Sequence, residues 1–515
     1  MDPVYCISSD LDLDFSAARA SFNALLSKAS SKDTQQLSHD EVEHLVDTEG
    51  REVLRLIYQG HLDLRTAAEQ NREAPRGADD EERSHRRHLE RPLRTVFGDN
   101  RVVRLNFTSK DVSSGLRPLD AELNLPKESY SLGLRRAASI MAMDVSFDSA
   151  YAKLAAFTGG NVPKRQLEEL VVRTAQDFDA FYDDVQRERI QHPPDLESNH
   201  PLLVLTSDGK GIVMRPESLR EGTRKKAERD KHKLATRLSA GEKRNRKRMA
   251  EVAAVYDQEL QPRSPDDILA QRIQEQSKRA PRPRAQNKRV WASVDKPLKA
   301  VVQQCFDEAL SRDPDRQRTW VYLVDGNKEQ IRVASEIAKR NCVSLVIIVD
   351  FIHVLEYLWK AAWSFFDKGD KKVEAWVLTR ARAVLDGRAS NVAAGIRQSA
   401  TKRGLADKDR KGADDCADYL LNKKDMLKYN DYLAAGCPIA TGVIEGACRH
   451  LVNDRLGITG ARWGLKGAEA ILRLRALRTS GDFEDYWRFH RRQELERNHL
   501  SRFAKNELPE LRIAV

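Results

Sequence analysis

Apolar residues recur at helical spacing in the first part of the chain, from Ser16 to about Leu64. This periodicity predicts amphipathic helices. Residues 66–94 are rich in Arg, Glu, Asp and His and have few apolar positions, so we expect a polar linker there. From Leu93 to Phe107, apolar and polar residues alternate around Gly98-Asp99-Asn100, a pattern typical of a β-hairpin.

The pattern of residues 146–174 predicts two short helices separated by a tight turn. Ser146 can cap the first helix, Thr158-Gly159-Gly160-Asn161 interrupts it, and Pro163 opens the second. The first turn of the second helix offers Lys164, Arg165 and Gln166. A helix-turn-helix would place these residues against DNA phosphates or base edges. An ordinary helical hairpin with solvated charges explains the same pattern, and both interpretations stay open.

Short apolar runs alternate with helical segments after Pro201. Leu202 to Thr206 predicts a strand that ends in the turn Ser207-Asp208-Gly209. Thr319 to Val324 predicts a strand ending at Asp325, and Val343 to Val349 predicts another ending at Asp350. This alternation favours an α/β core with parallel strands, in which acidic residues stand at the strand tips.

Positive charge is concentrated in one short segment. The chain has 88 Lys and Arg against 78 Asp and Glu, a formal charge of +10, and 14 against 5 of these lie between Arg215 and Ala250. We expect residues 216–285 to form a basic helical insertion that binds DNA through counterion release, although a solvated charged helix explains the run too. Its candidate DNA contacts are Arg224, Lys225, Lys226, Lys243, Arg244, Arg246, Lys247 and Arg248.

The cysteines and the longest apolar run indicate in which cellular compartment we expect the protein. The six cysteines are scattered without a CxxC pair, so neither a disulfide framework nor a zinc ribbon is indicated. The run from Cys342 to Val349 falls far short of the roughly 20 residues of a bilayer span, and the first 30 residues lack an export signal. We therefore expect no membrane partner and a cytoplasmic, nucleoid-associated protein.

Three acidic residues, Asp208, Asp325 and Glu445, are the candidate catalytic groups. A parallel sheet brings its strand tips to one edge, where carboxylates would repel one another unless cations neutralised them. Two Mg²⁺ or Mn²⁺ ions held there suit phosphodiester cleavage and strand transfer. Taken singly, however, an Asp-Gly pair is more often a turn, and Glu445 can pair with Arg449 one helical turn later.

Several longer phrases in the second half of the chain resemble one family. They are Asp350-Phe-Ile-His353, the run from Pro438 to His450 that contains Glu445, and Gly460-Ala-Arg462-Trp463. Together they resemble the DDE transposases of Kra-type bacterial insertion sequences, which are related to the mutator-like transposases. Phrases near Thr95-Val-Phe-Gly98 and Lys466-Gly-Ala-Glu469 extend the resemblance over most of the chain.

The resemblance implies an RNase H-like catalytic core. Its first Asp would be Asp208 on the first strand, its second would be Asp325 after the fourth strand, and Glu445 would lie on a later helix. Asp350 also ends a strand and is the alternative second metal ligand. His353 would orient the carboxylates or contact a displaced nucleotide, although a histidine at the start of a helix is usually structural. Further candidate DNA contacts, or surface ion pairs, are Arg449, His450, Arg455 and Arg462.

These patterns predict six regions along the chain. They are an N-terminal helical region with its linker (1–92), a hairpin with the helix-turn-helix (93–190), the discontinuous catalytic core (198–215, 286–366 and 438–480), the basic insertion (216–285), a second helical insertion (367–437) and a C-terminal helical tail (481–515).

We expect an enzyme that cuts double-stranded DNA at element ends and joins it to target DNA, acting as a homo-oligomer. The alternatives are a nuclease of the same fold without strand transfer and a catalytically inactive, sequence-specific DNA-binding protein.

Overall fold

The structure is a computed structural model, and it describes residues 15–110, 112–192, 200–230, 234, 236–239, 242–243, 245–273 and 284–509. The chain divides into two units. The first unit comprises Met1–Phe181 and Phe483–Val515, and the second comprises Tyr182–Asp482. Within the described ranges, no helix combines the length and the apolar character that crossing a membrane requires.

The described residues form both helices and strands. Up to residue 192 they are α1 (Ser16–Ala29), α2 (His39–Glu69), β1 (His85–Thr95), β2 (Gly98–Ser109), β3 (Val112–Leu116), α3 (Pro118–Glu122), α4 (Leu132–Asp144), α5 (Phe147–Phe157), α6 (Lys164–Thr174) and α7 (Phe178–Gln191).

From residue 200 to residue 349 they are β4 (Leu202–Val213), α8 (Glu221–Arg229), β5 (Lys247–Gln258), α9 (Pro265–Ile273), β6 (Gln286–Ser293), α10 (Leu298–Arg312), β7 (Thr319–Val324), α11 (Lys328–Arg340) and β8 (Leu345–Val349). The remainder is helical, with α12 (Phe351–Ala362), α13 (Lys372–Leu385), α14 (Ala389–Lys402), α15 (Asp407–Lys423), α16 (Tyr429–Ala434), α17 (Gly442–Ala447), α18 (Asp454–Leu456), α19 (Leu465–Ser480) and α20 (Phe483–Asn498).

The first unit has an antiparallel sheet where the sequence predicted a linker. Its strand order is β1-β2-β3, and β1 begins at His85, so the linker prediction for residues 66–94 is wrong over much of its length. The charged residues of this segment pack by pairing rather than by apolar contact. The buried guanidinium of Arg72 binds Glu122, and that of Arg83 binds Asp79. The predicted hairpin is present and is longer than expected.

The helices α5 and α6 lie where the helix-turn-helix was predicted, and both pack on α4. The Ser146 hydroxyl accepts a hydrogen bond from the Ser149 amide, so Ser146 caps α5 as expected. The turn between the two helices touches the turn of the β1–β2 hairpin, where the Gly159 amide donates to the Val96 carbonyl over 2.8 Å. A Cβ atom on Gly159 would lie 2.3 Å from the Phe97 carbonyl oxygen, so this contact requires glycine.

The second unit is built on a mixed five-stranded sheet with the order β6-β5-β4-β7-β8. β4, β7 and β8 run parallel, whereas β5 pairs antiparallel with both β4 and β6. The expectation of a parallel sheet therefore fails for one strand, β5, and for both of its pairings. β5 lies inside the segment that was predicted as a basic helical insertion, of which Glu221–Arg229 and Pro265–Ile273 are helical. Its alanines favour a helix in isolation, but neighbours on both edges of β5 make it a strand.

β4 is one continuous strand, so the predicted turn at Ser207-Asp208-Gly209 is absent. Gly209 pairs with Glu251, and Gly211 pairs with Met249. The ladder to β5 thus continues through Asp208, and tertiary pairing overrides the local turn preference of an Asp-Gly sequence. Asp208 stands within a strand rather than at its tip.

A buried carboxylate, Glu308 on α10, organises one end of the second unit. It accepts hydrogen bonds from Arg289, Arg312 and Arg189, and it is fully buried. Burial alone would raise the pKa of Glu308, but the three guanidinium groups hold it well below its usual range.

We predict that Glu308→Gln destabilises the protein by about 3–5 kcal/mol, because it leaves buried guanidinium groups without their counterion. Urea unfolding followed by circular dichroism measures this loss. The control is Glu336→Gln, an exposed carboxylate paired with Arg332, which we expect to change the free energy of unfolding by less than about 1 kcal/mol. Equal effects in the two variants would contradict a structural role for Glu308.

Candidate active site

The registers of the parallel strands bring three aspartates to one row of the sheet. Thr206 of β4 pairs with Leu323 of β7, and Asp208 and Asp325 each lie two residues further along. Val324 pairs with Val349 of β8, and Asp325 and Asp350 each follow directly. Asp208 and Asp325 are half-buried, whereas Asp350 is fully buried. The row therefore offers two accessible carboxylates and one that is enclosed.

Asp208 contacts Cys448, which lies in the helical segment that carries Glu445. Its Oδ2 accepts a hydrogen bond from the Cys448 thiol over 3.3 Å, and its Oδ1 accepts one from the Gly209 amide over 2.7 Å. Burial, followed by the charges of Asp208 and Glu445, raises the pKa of the Cys448 thiol. The thiol thus stays protonated as a donor to Asp208, and it lies three residues after Glu445 on the same helical segment.

Asp325 begins the loop between β7 and α11. Its Oδ1 accepts a hydrogen bond from the Asn327 amide over 2.8 Å, and its carbonyl accepts one from the Tyr419 hydroxyl over 2.9 Å. Tyr419 stacks on Tyr357 with ring centroids 3.9 Å apart. Gly326 has a φ of +96°, and a Cβ atom there would lie 2.8 Å from the Tyr419 hydroxyl. Glycine at this position therefore allows the tyrosine to fix the loop that carries Asp325.

Asp350 caps α12 and is enclosed by hydrogen bonds. Its Oδ1 accepts from the Ile352 amide, and its Oδ2 accepts from the Thr441 hydroxyl and lies 3.3 Å from His353 Nδ1. The same Thr441 hydroxyl is 3.5 Å from Glu445 Oε1, at the edge of hydrogen-bonding distance. Asp350 is thus tied to the helix that carries Glu445, and its oxygens are already occupied by protein donors.

His353 carries a raised pKa. Its hydrogen bond to Asp350 is the largest cause; partial burial opposes it, and the charges of Asp350, Asp325 and Glu356 add to it. The imidazole therefore lies within electrostatic reach of both the enclosed and the accessible aspartate. Asp208, Cys448, Glu445, Thr441, Asp350, His353 and Asp325 thus form a connected set, which we call the carboxylate cluster.

The carboxylate cluster has the right kind of donors for a hard divalent cation, because Asp208, Asp325 and Glu445 all supply carboxylate oxygens. The first two are partly accessible and Glu445 is exposed. However, within the described ranges no three His, Cys, Asp or Glu side chains lie close enough together to hold a metal ion. The residue types therefore fit a metal site, but the side chains lie too far apart in this structure to coordinate one ion together.

The helix that carries Glu445 continues into a π-helical turn, Cys448–Asn453. Such turns are rare and occur often at functional sites. Arg449 and His450 are exposed on it, and both lie near Asp454, with His450 Nδ1 2.9 Å from its carboxylate. Both cations of this turn are thus exposed beside one carboxylate.

The prediction of Arg455 as a surface cation is wrong. It is buried, with its guanidinium 4.7 Å from the centroid of the Trp463 ring. Trp463 is buried as well, and its backbone bridges to β4 through hydrogen bonds with Val213 and Arg215. The pair acts as a core anchor beneath the π-helical turn. Arg462 next to it is exposed.

The cations of the basic segment fall into two groups. Arg224 and Lys225 are exposed on α8 and form i,i+4 ion pairs with Glu228 and Glu221. The other exposed ones are Lys226, Lys243 and Lys247. Arg246 pairs with Asp230, and Arg244 lies outside the described residues.

Arg248 is mostly buried, and its guanidinium donates to the Val294 carbonyl over 2.7 Å and to the Ser218 carbonyl over 3.2 Å. The prediction of Arg248 as a DNA contact is wrong, because its guanidinium packs inside the second unit and donates to backbone carbonyls there.

The predicted cations of α6 are exposed in the first unit. Lys164 pairs with Asp148 over 2.7 Å, whereas Arg165 is 90 % exposed and lies 3.5 Å from Glu169. These are the weak pairs typical of a solvated helix face. Their availability for DNA stays a prediction.

The sequence reasoning missed Thr441, Cys448 and Tyr419. The first two were readable from helical spacing, because Thr441 lies four residues before Glu445 and Cys448 three residues after it, which places all three on neighbouring positions of one helix. Tyr419 belongs to the segment predicted as an insertion, so no local pattern connected it with Asp325.

Comparisons with known proteins give little further information. No protein-family model and no curated protein matches the chain. Among solved structures, the Drosophila P element transposase strand transfer complex matches with a TM-score of 0.21 and 10% sequence identity, covering 73% of this chain and 83% of that one. A likeness at that TM-score carries no argument about this protein.

We predict that Asp350→Asn lowers the pKa of His353, because the substitution removes the charge that favours the imidazolium. A raised folded-state pKa means that the protonated pair stabilises the fold below the unfolded-state value of about 6.5, and that this contribution is lost as pH rises through the folded-state pKa. Carbon-detected NMR titration of the histidine rings measures the shift. His61, whose pKa is lowered by burial and by Arg65, is the internal control and keeps its titration. An unchanged pKa of His353 would contradict the assignment.

Proposed function

We propose that this protein is a DDE-type transposase that cleaves DNA at the ends of an insertion sequence and joins the free ends to target DNA. The observation that carries the proposal is the row of Asp208 and Asp325 on adjacent parallel strands, with Asp208 bonded to Cys448, three residues after Glu445 on the same helical segment. Neither the composition nor any single Asp-Gly pair leads to this function by itself.

The topology of the second unit supports an RNase H-like interpretation of its sheet. Counting within this unit, Asp208 lies on the first strand, Asp325 directly follows the fourth, and Glu445 lies on a later helix. These are the positions that the resemblance to Kra-type transposases implies. Beside β4, the strands β5 and β6 complete the sheet.

Asp208, Asp325 and Glu445 are the residues that would hold Mg²⁺ or Mn²⁺, with two ions expected. Bound there, the cations would activate the attacking oxygen and neutralise charge on the scissile phosphate. The chain itself positions the acids. Cys448 holds Asp208, Tyr419 holds the backbone of Asp325, and Thr441 connects the helix of Glu445 with the buried Asp350. Asp350 and His353 act as positioning residues in this proposal.

Asp325 is preferred to Asp350 as the second ligand on the basis of access. Both oxygens of Asp350 already accept hydrogen bonds and the side chain is fully buried, whereas the Oδ1 of Asp325 accepts one from the Asn327 amide and the side chain is half-buried. A buried carboxylate that already accepts several hydrogen bonds serves better to orient neighbours than to bind a cation exchanged with solvent.

Double-stranded DNA, both element end and target, is the proposed partner. Arg449, His450 and Arg462 are the exposed cations nearest in sequence to Glu445, and we propose that they contact phosphates. Lys164 and Arg165 on α6 are proposed to contact the element ends. A homo-oligomer is proposed because two ends must be joined, and a cytoplasmic, nucleoid-associated location follows from the DNA partner.

We predict that Asp208→Asn, Asp325→Asn and Glu445→Gln each reduce Mg²⁺- or Mn²⁺-dependent nicking by about 10²-fold or more, because each removes a charge that supports the transition state. The substrate is a labelled duplex carrying the sequences that flank the coding region. Asp350→Asn is expected to lose about 10- to 100-fold, as positioning residues do.

Glu336→Gln is the control for this series, because its exposed carboxylate lies outside the carboxylate cluster. Normal nicking by Asp325→Asn with none by Asp350→Asn would move the second ligand to Asp350. Nicking without joined products would indicate a nuclease. Binding of the ends with no cleavage by the wild type would favour the inactive DNA-binding protein.

We predict that Arg462→Gln reduces the salt dependence of duplex binding, lowering the slope of log Kobs against log salt by about 1, as expected for the loss of one phosphate contact. Fluorescence anisotropy between low and moderate salt measures the slope. Arg332→Gln is the matched control, because this exposed arginine is already paired with Glu329 and Glu336. Identical slopes for Arg462→Gln and the wild type would remove this residue from the interface.

A further inference from the structure

A cavity of about 470 Å³ in the first unit is lined by several cationic side chains. It lies away from the carboxylate cluster in sequence, and no step of the proposed reaction uses it. Five of its lining residues are Arg or Lys, and one is an acid: Arg91, Arg104, Arg117, Lys127, Arg502 and Asp120. The cavity therefore carries an excess of positive charge.

The one carboxylate is already engaged with one guanidinium. Arg104 Nε lies 2.7 Å from Asp120 Oδ1, and both side chains are buried. Arg91 donates to the carbonyl of Pro126 over 2.9 Å, and Arg502 donates to that of Gly115 over 2.8 Å. Carbonyl oxygens orient a guanidinium without neutralising it, so several positive charges in this cavity stay uncompensated.

Arg104 also presents an unused donor. The residue is 8% exposed, and its Nη1 has no hydrogen-bond partner among the residues that the structure describes. The Nε of Arg117 is buried and lacks a partner within the same ranges. Buried donors are nearly always paired in native proteins, so these two, which belong to side chains that line the cavity, leave a demand for acceptor oxygens beside it.

The electrostatics of the cavity point the same way. Burial lowers the pKa of Arg104, Asp120 opposes this, and the neighbouring charges of Arg91 and Arg117 lower it further. Burial and the charge of Arg117 likewise lower the pKa of Arg502. The charged form of each guanidinium is therefore destabilised by burial and by its neighbours, and an anion bound among them would stabilise it.

We propose that this cavity binds a phosphoryl group. Guanidinium forks match the several oxygens and double charge of a phosphate monoester better than those of a single carboxylate. The volume also admits a ligand of mononucleotide size. The phosphoryl group comes either from a free small molecule or from the 5′ end of a DNA strand, which share this chemistry. The assignment stands independently of the proposed transposase activity.

The test uses the full-length protein in phosphate-free, metal-free buffer, where no DNA cleavage occurs. Isothermal titration calorimetry compares inorganic phosphate, adenosine monophosphate, and one oligonucleotide with and without a 5′-phosphate. Binding of the two small molecules assigns a free ligand. Stronger binding of the phosphorylated oligonucleotide than of its unphosphorylated copy, without binding of the small molecules, assigns a DNA end.

Arg104→Met and Arg117→Met are expected to weaken phosphate binding about tenfold or more, the usual effect of removing a charged hydrogen-bond donor. Arg104→Met also leaves Asp120 unpaired and so risks misfolding, whereas Arg117→Met is the safer variant because no ion pair of Arg117 is found among the described residues. Phosphate is expected to raise the Tm of the wild type and to do so less in Arg117→Met.

The control is Arg488→Met, an exposed arginine of the same unit paired with Asp485. The proposal is overturned if the wild type binds none of the phosphate-bearing probes, or if Arg117→Met binds them as tightly as Arg488→Met does. Loss of nicking by the carboxylate variants leaves this result unaffected, so the two proposals fail separately.

Discussion

The register between β4 and β7 is the constraint on which the rest of the carboxylate cluster depends. Once Thr206 is paired with Leu323, Asp208 and Asp325 must share a row, and the pairing of β7 with β8 adds Asp350 to it. A slip of one residue would turn every side chain of a strand to the other face. The fully buried strand residues on both sides of this row exclude such a slip, so core packing fixes the positions of the acids.

Two hydroxyl or thiol groups then connect distant parts of the chain to that row. Cys448 bonds to Asp208, and Thr441 bonds to Asp350 and approaches Glu445. Both belong to one short helical segment, so the position of this segment decides how the third acid faces the other two. Tyr419 does the same for the Asp325 loop from a helix far along the chain. The supporting contacts are uncharged, which leaves the negative charge of Asp208, Asp325 and Glu445 available.

The sequence predicted the features that depend on local pattern. It predicted the strands β7 and β8, the hairpin and the capped helix at Ser146. It failed where distant residues decide the outcome. β5 has the alanine content of a helix and becomes a strand through its two neighbours, and the Asp208-Gly209 pair resembles a turn but continues a ladder. Arg248 and Arg455 look like surface cations in the sequence because burial of a charge through carbonyl or ring contacts leaves no local signal.

The π-helical turn after Glu445 determines the angle, about the helix axis, between the side chains before the turn and those after it. A π-turn contains one residue more than an α-turn, and one residue corresponds to about 100° of rotation. Glu445, before the turn, is therefore exposed, while Arg455, beyond it, stays under Trp463 in the core. Deleting one residue between Cys448 and Asn453 would restore a regular helix and swing one of these two side chains away from its partner. The irregular turn thus allows an exposed face and a packing face to coexist on a single continuous segment.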